Sequence, residues 1–267
     1  MSAFDLETAA RALMPKEIFA QASSSHLAMH VANAYVLVGV TDVASEKPLW
    51  TQIFPVQDDS MLASGFQFIE ARNWFDRVFR KVTLSFESQY FTLIPEVFFD
   101  AAQMESVMRF NHPQFDGQVN QLELREADSR VLFEWPSAME GLIRRAPHTR
   151  VLPLAFLMAR FAHHPQWNEA QQINVLVSGS HLMITAMQNQ RLLLLNSFEV
   201  SNETDVLYHL SNLAIRLEFD LEKVPIMVLK GADAMSLDVL DTYCGAIKKA
   251  PFAEVVHPIF QLHSICA

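Results

Sequence analysis

From Ser25 onward the chain runs through one succession of periodic segments twice, and that repetition limits its fold more than any single residue does. In the first pass, β-type runs at His26–Ala32, Tyr35–Val40 and Leu49–Phe54 are separated by Asn33 and by Ser45-Glu46-Lys47-Pro48. Asp58 or Asp59 is placed to cap a helix reaching Phe79. Lys81–Phe86 alternates as a strand, and Pro95 is placed to open a helix carrying Val97, Ala101, Met104 and Met108 at helical spacing. Gln118–Arg125 follows as a strand. In the second pass, Ile173–Val177, Leu182–Met187 and Leu192–Phe198 are joined by Ser178-Gly179-Ser180 and Gln188-Asn189-Gln190. Asn202 and Asp205, three apart, start a helix with the stripe Val206, Leu210, Leu213 and Leu217. Pro225–Leu229 reads as a strand, Ser236 as the cap of a helix lined by Leu237, Leu240, Cys244 and Ile247, and Val255–Leu262 as a last strand. Two matching series in one order mark an internal structural repeat.

Between the two passes, Arg130–Trp135 reads as an extra strand, Ser137 with Glu140 as a capping box, and Pro153 as the opening of a helix to about Phe161. The division that follows is a helical lead-in over 1–25 ending in the flexible run Ser23-Ser24-Ser25, a first lobe over 26–150 and a second over 151–267. A meander followed by helix, strand, helix and strand, made twice, is the plan of a duplicated ribonuclease H-like fold. The expected class is α/β, with two mixed five-stranded sheets flanked by helices.

Composition removes several function classes. A formal charge of −10 repels phosphate polymers, which argues against nucleic acid and anionic membranes as partners. No run approaches the ~20 apolar residues of a membrane span, and the acidic start Met-Ser-Ala-Phe-Asp-Leu-Glu is unlike a signal peptide. The expectation is a cytoplasmic protein without membrane insertion. Cys244 and Cys266 lack the spacing of a zinc site, and Cys244 falls on a helix stripe, as a packed thiol would. Seven glycines against twelve prolines and twenty phenylalanines leave little material for phosphate loops.

Phe91-Thr92-Leu93-Ile94-Pro95-Glu96-Val97-Phe98-Phe99-Asp100, Phe110-Asn111-His112-Pro113, and Leu195-Asn196-Ser197-Phe198 with Asp205-Val206-Leu207-Tyr208-His209-Leu210 resemble a bacterial family, the domain of unknown function 3822 (DUF3822). Within these segments Thr92, Pro95, Phe98, Asn196, Ser197, Phe198, Asp205 and Tyr208 carry the likeness. The resemblance implies an actin-like ATPase fold and brings no catalytic residues with it.

Actin-like ATPases hold nucleotide phosphates between two hairpin turns, each built around an Asp and a Gly. The Gly lets backbone N–H groups approach the phosphate, and the acid positions metal or water. At the first turn this chain has His30-Val31-Ala32-Asn33, with His30 for the acid and Ala32 for the glycine. The second has Val177-Ser178-Gly179-Ser180, with Val and Ser where carboxylates are needed to hold hydrated Mg²⁺. The adenosine-side turn keeps one glycine, in Lys230-Gly231. A catalytic constellation is therefore not expected, and neither is a cofactor, although ATP with Mg²⁺ through Gly179 and Gly231 stays open.

Other groupings read structurally. His112, His148, His163 and His164 lack ligand spacing, Arg144-Arg145 and Lys248-Lys249 suit helix ends, and Tyr208 with His209 flanks the core stripe, the tyrosine being expected buried with its hydroxyl hydrogen-bonded. Phe91, Phe98, Phe99 and Trp135 suit a core, or an apolar groove where the halves meet. The expected function is a non-catalytic binding or scaffold module with degenerate phosphate loops and an unidentified protein partner; its oligomeric state is open. The alternative is a divergent ATP-binding protein or ATPase using the cleft between the lobes, with acids drawn from Asp42, Asp58, Asp205 or Asp233.

Overall fold

The computed structural model describes residues 16–32, 35–45, 47–55, 79–135, 149–165, 169–230, 235–249, 259–260 and 262–263. By packing, the chain divides into two compact units. One is Met1–Gln89 with Glu134–Leu154 and Ala267, and the other is Tyr90–Phe133 with Ala155–Cys266.

The first unit starts with helix α1 (Lys16–Ala20) and a 3-10 turn, Ala22–Ser24. The Ser23–Ser25 run is thus an ordered turn and not a linker, because the Ser24 and Ser25 hydroxyls both donate to Gln21 O, at 2.9 and 2.8 Å. Strands β1 (Ser25–Val31), β2 (Tyr35–Asp42), β3 (Pro48–Pro55) and β4 (Lys81–Phe86) follow. β1 is buried throughout, as a central strand covered on both faces must be, which explains why its apolar residues do not simply alternate with exposed polar ones. Leu27, Met29, Leu84 and Phe86 fill one face of β1 and β4. On the other face, His26 and His30 meet Thr83 and Ser85.

The second unit begins with β5 (Phe91–Pro95), helix α2 (Met104–Asn111), β6 (Val119–Leu124) and β7 (Ser129–Glu134). These strands form a separate three-stranded sheet, ordered β5-β7-β6, whose core joins Ile94, Met108, Phe115, Val119 and Leu132. The helix expected to open at Pro95 forms only over Met104–Asn111, after the 3-10 turns Glu96–Phe98 and Ala101–Gln103; Pro95 itself is extended (ψ 139°) and ends a strand paired with Ser129. Proline lacks a ladder donor, so a strand end is a tolerated place for it.

Strand β8 (Arg150–Pro153) closes the first sheet in the order β3-β2-β1-β4-β8, with β4 parallel to β1 and β8 parallel to β4. The fifth place assigned to Gln118–Arg125 therefore belongs to a four-residue strand that reads as the approach to a helix. Helix α3 (Leu154–Ala162) starts directly after Pro153 and is buried almost all round, which marks a core helix.

The second sheet is built from β9 (Gln171–Ser178), β10 (His181–Gln188) and β11 (Arg191–Glu199). Helix α4 (Glu203–Leu217) leads to β12 (Ile226–Lys230), and helix α5 (Asp238–Tyr243) to β13 (Ile247–Lys249). The order β11-β10-β9-β12-β13 matches the first sheet strand for strand. Helix α4 carries the expected capping box. Asn202 Oδ1 accepts from the Thr204 and Asp205 amides, and Asp205 Oδ2 accepts from the Asn202 amide. Its Val206, Leu210, Leu213 and Ala214 pack on Ile173, Val175 and Ile226, each large side chain contributing about 1.5–3 kcal/mol.

Two expectations for the chain's last part fail. Ile247 does not extend the α5 stripe: the helix stops at Tyr243, and Ile226 N–H donates to Ala246 O at 2.9 Å as β13 joins the sheet. Gly245 lets the chain pass close to the Glu222 carbonyl, with which a Cβ there would collide. In place of a strand ending at Leu262, residues 259–260 and 262–263 are helical. Their buried side chains, Ile259, Phe260, Leu262 and His263, have helical spacing rather than alternation. The helices expected from Asp58 and from Ser137 lie outside the described residues. Among the described residues, no helix is long and apolar enough to cross a membrane.

Candidate functional site

The two hairpin ends are the places to look for phosphate chemistry. At the first, Val31 pairs with Val36 and the Ala32 amide donates to Tyr35 O at 2.9 Å, closing the turn through Asn33 and Ala34, which lie outside the described residues. His30 is directly opposite Ser85 on β4. Its side chain is fully buried, with Nδ1 2.7 Å from Ser85 Oγ and Nε2 3.9 Å from Glu87 Oε1. Imidazole, hydroxyl and carboxylate in one line resemble an acid–base set. Ser85 is itself 0% exposed, so its oxygen is closed off from solvent.

Four residues back on β1, His26 repeats the pattern, with Nε2 2.7 Å from Thr83 Oγ1. Burial, helped by the Lys81 charge, lowers its pKa to about 3. This imidazole is neutral at physiological pH.

At the second hairpin, Ser178 pairs with His181 and Gly179-Ser180 makes the two-residue loop. Gly179 has φ +54°, while Ser180 is not in the left-handed region, the combination a type II′ hairpin requires. A Cβ on Gly179 would meet nothing within 4 Å. The glycine is explained by backbone conformation alone. Ser178 is buried. The backbone of Lys230 is in register with Val177, so it reaches the same end of the sheet as this turn. Gly231 lies outside the described residues.

Of the acids proposed as substitutes, the two described ones, Asp42 and Asp205, are committed elsewhere. Asp42 ends β2 seven residues from Tyr35, about 23 Å from the first turn at ~3.3 Å per residue. Its Oδ1 accepts from the Ser45 hydroxyl and amide, both at 2.7 Å, and these bonds hold its carboxyl below the ordinary range. Asp205 is occupied in the α4 cap. Asp58 and Asp233 lie outside the described residues. Glu87, which no sequence pattern singles out, is the carboxylate nearest His30 and the first turn among the described contacts.

The remaining candidates are structural. His112 Nε2 bonds Phe91 O at 2.8 Å, and His163 Nδ1 bonds Ala159 O at 2.9 Å. Lys248 is on β13 and not at a helix end, with Nζ 2.6 Å from Glu169 Oε1. His148 and Arg144-Arg145 lie outside the described residues. Cys244 is packed in the second core, where burial and then Asp241 push its thiol pKa up. Among the described residues, no group of three or more His, Cys, Asp or Glu side chains could hold a metal ion.

The family-like residues form two groups. On the second sheet, Phe198 stacks under His209 with ring centroids 4.0 Å apart, and Tyr208 stands edge-on to that ring at 5.3 Å. Tyr208 is 63% exposed, contrary to the expectation of a buried tyrosine, because it points away from the Val206–Leu210 stripe. Asn196 Oδ1 accepts from the Ser197 amide. On the small sheet Thr92 pairs with Leu132, and Phe98 is 76% exposed and not in a core. Phe91 is buried, and Trp135 packs on Phe86 with centroids 5.0 Å apart.

A family model for a "Protein of unknown function (DUF3822)" matches residues 15–243. No curated protein matches the chain in sequence. Among solved structures, a Bacteroides thetaiotaomicron VPI-5482 protein with an actin-like ATPase fold and unknown function superposes with a TM-score of 0.76 at 18% identity. That likeness covers 93% of this chain and 98% of the other. The cytoplasmic domain of EpsL, an inner membrane component of the Vibrio cholerae type II secretion system, gives 0.51 at 13% identity over 90% and 95% of the two chains. A chain of the PilM–PilN type IV pilus biogenesis complex gives 0.51 at 12% over 90% and 97%. The fold is the actin-like ATPase fold, α/β with two mixed five-stranded sheets.

Proposed function

The chain belongs to the DUF3822 family of proteins of unknown function, and from that membership we propose that it is a binding module that takes up a protein partner without turning over nucleotide. One observation carries the reading. The residue at the acid position of the first hairpin, His30, is fully buried and bonded to Ser85, so it offers nothing to a metal or a phosphate. The second hairpin supports it through Val177 and Ser178, which have no charge to offer hydrated Mg²⁺.

Shared strand order in the two sheets fits descent from one doubled unit, with the phosphate turns lost while the scaffold was kept. The EpsL domain and the PilM–PilN complex, alike in fold, belong to a secretion system and to pilus biogenesis, and an assembly role follows the same use of the fold. The charge of −10 favours a protein partner over nucleic acid. A packed, unreactive Cys244 suits the reducing cytoplasm of a bacterium.

Isothermal titration of the full chain with ATP and Mg²⁺, repeated on Gly179→Asp, tests the reading. Neither protein should give a saturable heat. Saturable binding at millimolar or tighter affinity that the substitution abolishes would turn the assignment to a divergent ATPase.

A further inference from the structure

The small layer Tyr90–Phe133 turns three large apolar side chains into water: Val97, Phe98 and Phe110 are 83%, 76% and 86% exposed. A single exposed apolar residue is ordinary on a protein surface. Two adjacent ones at the tip of a rigid turn are not, and this turn is held on both sides. The Glu96 amide donates to Asp128 O at 2.7 Å, and Asp128 is itself fixed at φ 44°. Arg130 grips the Glu96 carboxylate with Nε and Nη2, each at 2.8 Å, and donates to Gln121 through Nη1 at 2.6 Å. Its guanidinium stands 4.2 Å over the Phe99 ring. Val97 and Phe98 are thus presented already ordered, which lowers the entropic cost of docking a partner against them.

Charge selects the partner. Within Tyr90–Phe133 acids outnumber arginines seven to three, and there is no lysine. All the arginines but Arg109 face acids, Arg125 pairing with Glu123 and Arg130 with Glu96, while Arg160 takes up Glu126. Asp100, Glu105 and Asp116 are left exposed and uncompensated by these pairs. We infer that this layer is a docking surface for a cationic, amphipathic peptide segment of a partner protein, with Phe98 and Phe110 as apolar anchors and the layer's acids Asp100, Glu105 and Asp116 as its electrostatic complement. A second copy presenting the same layer would bring acid against acid, which disfavours self-association there. The inference rests on the binding-module reading and adds the surface and the chemistry of the partner.

The test uses the full chain and two fluorescent amphipathic peptides of identical Leu and Phe content, one with Lys and the other with Glu at the polar positions. The Lys peptide should bind, more weakly as sodium chloride is raised, and the Glu peptide should not. Phe98→Ser with Phe110→Ser keeps every charge yet should weaken the Lys peptide at least about tenfold, as loss of buried anchors does. If that variant melts early, Glu105→Gln with Asp116→Asn gives an independent reading and should also weaken binding. Equal affinity for the variants, equal binding of the Glu peptide, or no binding of the Lys peptide overturns the inference. So does a dimer in gel filtration that Phe98→Ser dissociates. ATP titration alongside separates the two readings: silent ATP with a silent peptide removes the surface and leaves the module, whereas a saturable ATP signal removes the module itself.

Discussion

Lowering the pH from 8 to 5 should destabilise the chain through His26 alone by about 2 kcal/mol. In the fold, burial and then the Lys81 charge hold this imidazole down to about 3, against 6.5 in the unfolded chain. The unfolded state therefore takes the proton first. The contribution is complete above 6.5 and is lost as pH falls from there toward 3. At pH 5, roughly one and a half pH units below the unfolded value, about 1.4 kcal/mol per unit gives about 2 kcal/mol. Urea melts of the wild type and of His26→Gln at both pH values isolate the effect, because Gln still reaches toward Thr83 Oγ1 but gains no proton. Other groups titrate in both proteins and cancel in the difference. The wild type should lose about 2 kcal/mol more than the variant. Equal losses would refute a buried, neutral His26.

Four further substitutions probe the scaffold. Asn202→Ala removes the acceptor for two amides at the start of α4 and should cost about 1 kcal/mol in thermal or urea unfolding. Gly245→Ala drives a Cβ into the Glu222 carbonyl and should cost well over about 2 kcal/mol. Gly179→Ala has open space and only its positive φ against it, so about 1–2 kcal/mol is expected; a reversed order of the two glycine variants in the same melts would contradict the geometry. Leu210→Ala opens a cavity under α4 and should cost about 2–5 kcal/mol, read as a lower urea midpoint at unchanged slope.

Where structure follows from neighbours in the sequence, the sequence is readable. The Asn202–Asp205 box and its apolar stripe define α4 almost to the residue, and both three-strand meanders follow from alternation and turn residues. Reading fails where a distant partner decides. Arg150–Pro153 is too short to show a period and becomes a strand only through its pairing with β4. Gly245 has to be glycine because of its approach to Glu222, which no local pattern announces. The site divides in the same way. That position 30 carries an imidazole and not a carboxylate is visible in the residues, but its inward commitment depends on Ser85, reached only through the parallel pairing of β1 and β4. Exposure of Phe98 and Tyr208 is hidden because an apolar residue on a short turn or beside a helix stripe reads as core.

The buried His30–Ser85 bond makes an acid hard to place at the first hairpin. An aspartate introduced at position 30 would enter a fully enclosed space lined by a hydroxyl, within reach of the Glu87 carboxylate. Two carboxylates confined together cannot both ionise cheaply, so the newcomer would be driven toward its protonated form and would make a poor magnesium ligand. A His30→Asp chain titrated with ATP and Mg²⁺ should accordingly show no gained affinity. An acid at this position would be accommodated only together with changes at Ser85 or Glu87, the two groups that close around the side chain there.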